Sequence, residues 1–281
     1  MYVKINPMSL LHRIFTSLNK RHKALEESVR LEDYIQPEAF SYTMKDAPYR
    51  YVVIDNFFKP EFVEELSVYF NNMLAKGLGT DHIDRSKFRF FDPKIKYDGY
   101  VYTVPLGAPA PLDMFQSVAW NLFFTKMFGK PTTFGTNVAL HHHPPHDKTG
   151  WVHNDYATYL FPQKTVLPNG VYISSGELPK GVSVPSMPLI KNFKQKRTIA
   201  LLYYFNNPEW KEGDGGGTGI YSSKSKDSLT VSVAPVNNRL LAFDISPASF
   251  HAFQENMKDR NCLVQWFHAD LDWCEKEYGF L

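Results

Sequence analysis

Cysteine is nearly absent from this chain: Cys262 and Cys274 are the two in 281 residues. That excludes a disulfide framework and points to a reducing compartment. Net charge is also missing, at +2, so the chain lacks the basic footprint that nucleic acid binding requires. No apolar run approaches the length of a membrane span, and no Asn-x-Ser/Thr acceptor occurs. An apolar signal core is lacking at the N-terminus, and the basic stretch Arg13 to Lys23 is soon followed by Glu26 and Glu27. Internal repeats and low-complexity tracts are absent too. The expectation is a cytoplasmic protein with neither nucleic acid nor membrane as partner, a monomer or homodimer.

Aromatic residues are abundant instead, 15% of the chain, as suits an all-β core with a deep pocket. Residues 9–29 carry apolar positions at helical spacing (Leu10, Leu11, Ile14, Phe15, Leu18), so residues 1–40 read as an N-terminal helical extension. A strand at Tyr51 to Asp55 leads to Pro60, which opens a helix carrying Phe62, Leu66, Tyr69, Phe70 and Met73 and stopped by Gly77. A second helix is predicted from Leu112 to Phe128, with Met114, Val118, Leu122 and Met127 as core.

From Thr132 the pattern becomes short β-rich runs between Gly, Pro and Asn. The predicted strands are Phe134–His143, Trp151–Phe161, Thr198–Asn206, Gly219–Ser223, Leu229–Ala234, Arg239–Asp244 and Cys262–His268. Many short strands with turns between them predict a sandwich or barrel, here a mainly β core with flanking helices. Residues 41–281 read as one domain. The connection 162–196 has no periodicity and is long enough to be a lid insertion.

His153 and Asp155 stand two apart in a predicted strand, so both side chains project from one face. With a distant His251 they form the linear pattern of a 2-His-1-carboxylate facial triad, the arrangement that holds non-heme Fe(II) with open positions. Arg260 follows on the next strand, where its guanidinium can grip a carboxylate with two parallel bonds.

Arg239-Leu-Leu-Ala-Phe-Asp244, His251-Ala-Phe253 and Arg260-Asn-Cys-Leu-Val-Gln-Trp-Phe267 together resemble the Fe(II)/2-oxoglutarate-dependent dioxygenases, in their prolyl-hydroxylase-like branch. Pro144-Pro145 before the metal strand, Ala200-Leu-Leu-Tyr-Tyr-Phe-Asn206 and Gly215-Gly-Gly-Thr-Gly-Ile-Tyr221 follow the same order, and the likeness runs from Tyr51 to His268. It implies a double-stranded β-helix (a jelly-roll, cupin-like core) buttressed by N-terminal helices. It also implies His153, Asp155 and His251 as iron ligands and Arg260 as partner of the distal carboxylate of 2-oxoglutarate. Iron, 2-oxoglutarate and O2 would then oxidise an unreactive C–H bond and release succinate and CO2. Asp155 favours hydroxylation, because halogenating relatives have lost this carboxylate.

Three positions depart from the family pattern. Cys262 stands where many relatives have Ser, His143 near a Tyr that helps hold the cosubstrate, and Asn238 in place of a turn Gly. Candidate substrate contacts are Trp151, Tyr156, Asp214, Trp266 and Arg89. The run His141-His142-His143 with His146 reads poorly as a separate metal site, because alternation divides it between two faces; a role beside the cosubstrate or behind the metal ligands suits its inward-facing members better. Gly213-Asp-Gly-Gly-Gly-Thr-Gly219 lacks the ending of a phosphate loop and reads as a tight turn. The expected reaction is hydroxylation of an aliphatic carbon in a small molecule. A peptidyl hydroxylase, a desaturase, cyclase or epimerase on the same iron, and a cupin-like metal-binding protein or isomerase stay open.

Overall fold

The computed structural model describes residues 29–77, 89–92, 97–104, 108–161, 172–173 and 193–279. The predicted helix at residues 9–29 and nearly all of the candidate lid lie outside these residues. In chain order the strands before the iron motif are β1 (Ser41–Lys45), β2 (Tyr51–Asp55), β3 (Arg89–Asp92), β4 (Tyr97–Thr103) and β5 (Gly135–His143). After it come β6 (Thr158–Phe161), β7 (Tyr172–Ile173), β8 (Phe193–Tyr204), β9 (Thr218–Tyr221), β10 (Leu229–Val233), β11 (Arg239–Asp244), β12 (Phe250–Phe253) and β13 (Arg260–Asp270). The helices are α1 (Pro60–Gly77), α2 (Val118–Phe128) and α3 (Leu271–Tyr278).

Two sheets form. The larger runs β1-β2-β11-β8-β13-β5-β4-β3, with β6 added on β8 and β7 on β5, and the smaller runs β10-β9-β12. Alternation along the long strands divides two apolar layers. Leu201, Tyr203, Leu240, Leu263 and Phe267 point outward, against Phe57, Phe58, Trp120, Phe123 and Phe124 beside the helices. Ala200, Leu202, Tyr204, Leu241, Phe243, Cys262 and Val264 point inward and meet Ile220 and Val233 of the small sheet. This is the expected double-stranded β-helix with helices on its outer face.

The outer layer holds one polar device. The buried amide of Gln265 accepts from Trp120 Nε1 and donates to Phe115 O and Thr136 Oγ1, each at 2.7 Å. All its partners are therefore in place, as burial of an amide demands.

Pro60 opens α1 as predicted, and Phe62, Leu66 and Phe70 form its buried face. The second helix is shorter than its apolar spacing suggested. Asp113–Gln116 is a 3-10 turn, Ser117 is extended (φ −79°, ψ 153°), and α2 begins after it. The Ser117 hydroxyl accepts from Trp120 N and so caps the helix there. Gly129, at φ 66°, ends it in the left-handed conformation.

The predicted strand Trp151–Phe161 also breaks. Only Thr158–Phe161 pairs as a ladder, and His153 makes a single antiparallel bridge with His251. Between them, local bonds replace the ladder: Asn154 Nδ2 donates to Pro247 O, Asn154 Oδ1 accepts from Tyr156 N, and Ala157 N donates to Asp155 O. Strand β8 begins earlier than expected, at Phe193. The predicted strands and helices did not include β1, β3, β4, β7, β12 or α3.

Asn238 does more than replace a turn glycine. It sits at φ 58°, its Oδ1 accepts from Phe58 N (2.8 Å) and Tyr203 OH (3.1 Å), and its Nδ2 donates to Phe58 O (2.8 Å). Asn238→Gly keeps the backbone conformation but loses all three bonds at a fully buried neighbour. We expect about 2–4 kcal/mol of destabilisation from three lost bonds, read from the urea midpoint. A change within experimental error would mean that only the positive φ matters.

Candidate metal centre and cosubstrate pocket

Two candidate ligand residues far apart in sequence meet across one backbone bridge. His153 N donates to His251 O at 3.0 Å, and His251 N donates to His153 O at 2.8 Å. The rings then lie 4.5 Å apart. Each Nδ1 faces a backbone carbonyl, His153 that of Trp151 at 2.9 Å and His251 that of Ser249 at 3.3 Å. Those carbonyls give each Nδ1 an acceptor for its proton, so Nε2, turned towards Asp155, is the nitrogen placed to meet a metal.

Asp155 completes the group. Its Oδ1 is 3.6 Å from His153 Nε2 and its Oδ2 is 3.5 Å from His251 Nε2. Among the described residues this is the cluster able to hold a metal, with ligand atoms all within 4.8 Å. Two imidazoles and a carboxylate on one side of an ion fit Fe(II) and leave positions for other ligands.

The carboxylate is held from behind. Trp266 Nε1 donates to Asp155 Oδ2 at 2.6 Å, and Arg197 Nη1 lies 3.4 Å from Oδ1. The Arg197 guanidinium is itself sandwiched, 3.9 Å from the Trp266 ring and 4.3 Å from that of Tyr159. Burial alone would raise the Asp155 carboxyl. The bonds with His153 and His251 and the charge of Arg197 instead hold it well below the usual carboxylate range. Burial also opposes charge on His153, but contact with Asp155 outweighs it and raises that imidazole.

Arg260 begins β13 and is 2% exposed. Its Nη1 donates to Cys262 Sγ (3.1 Å) and its Nη2 to Thr218 Oγ1 (3.2 Å), and the rings of Phe253 and Tyr204 lie 5.2 and 5.3 Å away. These partners are neutral, and a carboxylate is what such a guanidinium binds best. Burial pushes the Cys262 thiol up, partly offset by Arg260, so the sulfur stays protonated beside the guanidinium. The sequence reading missed two hydroxyls here. Tyr204 OH donates to Thr218 Oγ1 at 2.7 Å, next to Arg260. Thr218 sits inside the glycine-rich turn already singled out, but only the pairing of β9 with its neighbours reveals its direction.

His143 pairs in register with Arg260 and is enclosed. Its Nδ1 is 2.9 Å from Asp147 Oδ2, and its ring stacks on Phe253 at 4.3 Å. Gly99 covers the ring so closely that a Cβ there would lie 2.9 Å from Cε1. His142 points outward, with Nδ1 2.7 Å from Asn261 Oδ1.

The substrate candidates divide. Trp151 is 43% exposed with its ring 5.8 Å from that of His153, so it stands at the mouth of the site. Trp266 is engaged with Asp155 rather than presented to a substrate. Tyr156 turns to the C-terminal helix, its hydroxyl 3.4 Å from Cys274 O and its ring 5.5 Å from Tyr278, under the Lys196 ammonium. Asp214 is bound in its turn by Lys258 Nζ and Lys211 N, each at 2.7 Å. Arg89 lies on β3, and its side chain is outside the described part.

A double-stranded β-helix carrying a His-Asp-His cluster, with a buried arginine in the same barrel, is an arrangement suited to a metal-dependent oxygenase. Residues 183–268 match the 2OG-Fe(II) oxygenase superfamily. That stretch contains His251 and Arg260, while His153 and Asp155 lie before it. A curated relative, the prolyl 3-hydroxylase OGFOD1 of Xenopus laevis, is 33% identical over 79 residues, 26% of this chain; the matched part spans 15% of that protein. Similar solved structures include a Pseudomonas putida prolyl-4-hydroxylase (13% identity, 82% of this chain and 93% of that one, TM-score 0.47). A Trichoplax adhaerens prolyl hydroxylase in complex with a hypoxia inducible factor peptide is another (14%, 80% and 86%, TM-score 0.48). Over the matched stretch the chain is similar to the 2OG-Fe(II) oxygenase superfamily. The cofactors of that family are Fe(II), 2-oxoglutarate and O2.

Among the described residues no helix is long and apolar enough to cross a membrane.

Proposed function

We propose that this protein is an Fe(II)/2-oxoglutarate-dependent hydroxylase acting on a prolyl residue of a peptide or protein. The observation that carries the oxygenase reading is the convergence of His153, Asp155 and His251 on one point, with Arg260 buried at the start of β13 and bonded to Thr218 on β9, the neighbour of His251's strand. Fe(II) bound there with 2-oxoglutarate and O2 supplies the oxidising power, with succinate and CO2 as products.

The chain's own residues do the rest. His153 and His251 present Nε2, and Asp155 presents an oxygen fixed by Trp266 and Arg197. Arg260, with Thr218 and Tyr204 beside it, receives the distal carboxylate of 2-oxoglutarate in a site walled from water. His143 shapes that wall. Trp151 offers an exposed aromatic face for the substrate next to the metal. The relative's name, prolyl 3-hydroxylase, favours a prolyl residue over the small molecule expected from the sequence. Two buried, unpaired thiols agree with a cytoplasmic location.

The test is succinate formation from 2-oxoglutarate with Fe(II), alone and with proline-containing peptides, with mass spectrometry for the gain of one oxygen atom. Peptide-stimulated turnover with an oxidised prolyl residue is expected. Neither binding nor turnover of 2-oxoglutarate would sink the oxygenase reading. Turnover stimulated by free amino acids but by no peptide would restore the small-molecule class.

A further inference from the structure

We propose that His141 is a cosubstrate-binding residue whose imidazole hydrogen-bonds the metal-proximal, 2-oxo-acid end of 2-oxoglutarate. The proposal rests on the oxygenase reading above and assigns a further residue to that site.

The register of β5 on β13 places it. His143 lies opposite Arg260, His141 opposite Cys262, Ala139 opposite Val264 and Asn137 opposite Trp266. Arg260 and Cys262 stand two apart, so both face inward, as do their partners His143 and His141. Trp266 binds Asp155, so this row of inward positions runs from the guanidinium to the metal ligand. His141 is one step along it, about 7 Å from the Arg260 level. A dicarboxylate stretched from Arg260 towards the triad passes it.

Accessibility separates the two inward imidazoles. His143 is 1% exposed, locked by Asp147, stacked on Phe253 and covered by Gly99. His141 is half-buried, while its row neighbours Cys262 and Tyr204 are each 0% exposed. For a side chain that points inward, accessible surface is surface of the interior. His141 therefore has a face to offer a ligand, and His143 serves as the wall behind it.

The chemistry agrees. Burial, reinforced by the neighbouring His143 and Arg260, pushes the His141 imidazole down to about 3, so it is neutral. A neutral imidazole carries one N–H donor and one acceptor. Its donor suits a carboxylate or keto oxygen.

The test uses the full chain with Mn(II) in place of Fe(II) and calorimetric titration of 2-oxoglutarate. His141→Ala should weaken 2-oxoglutarate about tenfold, the loss of one hydrogen bond to a charged group. His141→Asn, which keeps a donor, should recover most of it. Affinity for Mn(II) alone and Tm should stay near wild type. If His141→Ala binds 2-oxoglutarate as tightly as wild type, the proposal fails and the oxygenase reading stands. If wild type itself takes up no 2-oxoglutarate with Mn(II) present, the oxygenase reading fails and this proposal with it. Should the alanine variant not fold, His141→Leu is compared with His141→Asn. Weaker binding by Leu supports the contact, and equal binding overturns it.

Discussion

Asp155→Ala should lose metal binding by more than about 100-fold, beyond the 10–100-fold typical of an outer contact, and with it all 2-oxoglutarate turnover. The substitution removes one of three donors. It also strands the groups that had been arranged around the carboxylate, since Trp266 Nε1 and Arg197 both lie against it. Arg197 would then be a largely buried cation without its partner, which is costly. Mn(II) titration and circular dichroism on the same sample separate metal loss from unfolding. A folded Asp155→Ala protein with wild-type metal affinity would show that the cluster is not the metal centre.

Arg260→Lys should raise the KM for 2-oxoglutarate about 10–100-fold, roughly 1.4–2.8 kcal/mol, with metal affinity unchanged. Lysine retains the positive charge but offers a point donor where the guanidinium offers a fork. It also loses the planar group that reaches both Cys262 Sγ and Thr218 Oγ1 between two aromatic rings. A split is expected, with kcat at saturating 2-oxoglutarate falling much less than kcat/KM. Equal loss of both, or loss of metal binding, would argue that Arg260 acts on the fold rather than on the cosubstrate. The lysine variant is preferred to alanine because a buried cavity beside Tyr204 would confuse the two.

Much of the candidate site was legible in the chain itself. Alternation predicted His153 and Asp155 side by side, and they do meet, though through local bonds around Asn154 rather than along a continuous strand. The spacing from His251 to Arg260 placed the arginine on the next strand. The separation of His142 from His141 and His143 followed from the same alternation, and His142 does face outward, onto Asn261. The helix at Pro60 and the strand Arg239–Asp244 were equally plain, because each carries an undisturbed apolar period.

Other features were hidden because side chains overrode local pattern. Ser117 cut the second helix by capping it, and Asn154 dissolved the metal strand into a single bridge. Strands β1, β3 and β4 have no strong pattern because they lie at or near the edges of the large sheet, where fewer neighbours dictate side-chain type. Trp266 and Tyr156 both looked like pocket aromatics. Nothing in sequence distance tells that one turns to Asp155 and the other to Tyr278.

By itself the sequence determined the candidate chemistry: the types of the candidate ligands, an arginine suited to a carboxylate and the β-rich frame that carries them. Those depend on residue identity and on a strand's period of two, both local. Only the tertiary structure decided which atoms stand behind the ligands and which imidazole has room for a ligand. Trp266, Arg197, Thr218 and Tyr204 reach the site across strand pairings, and His141 and His143 differ only in what packs over them. Such contacts come from register and packing between distant segments, which no local pattern encodes.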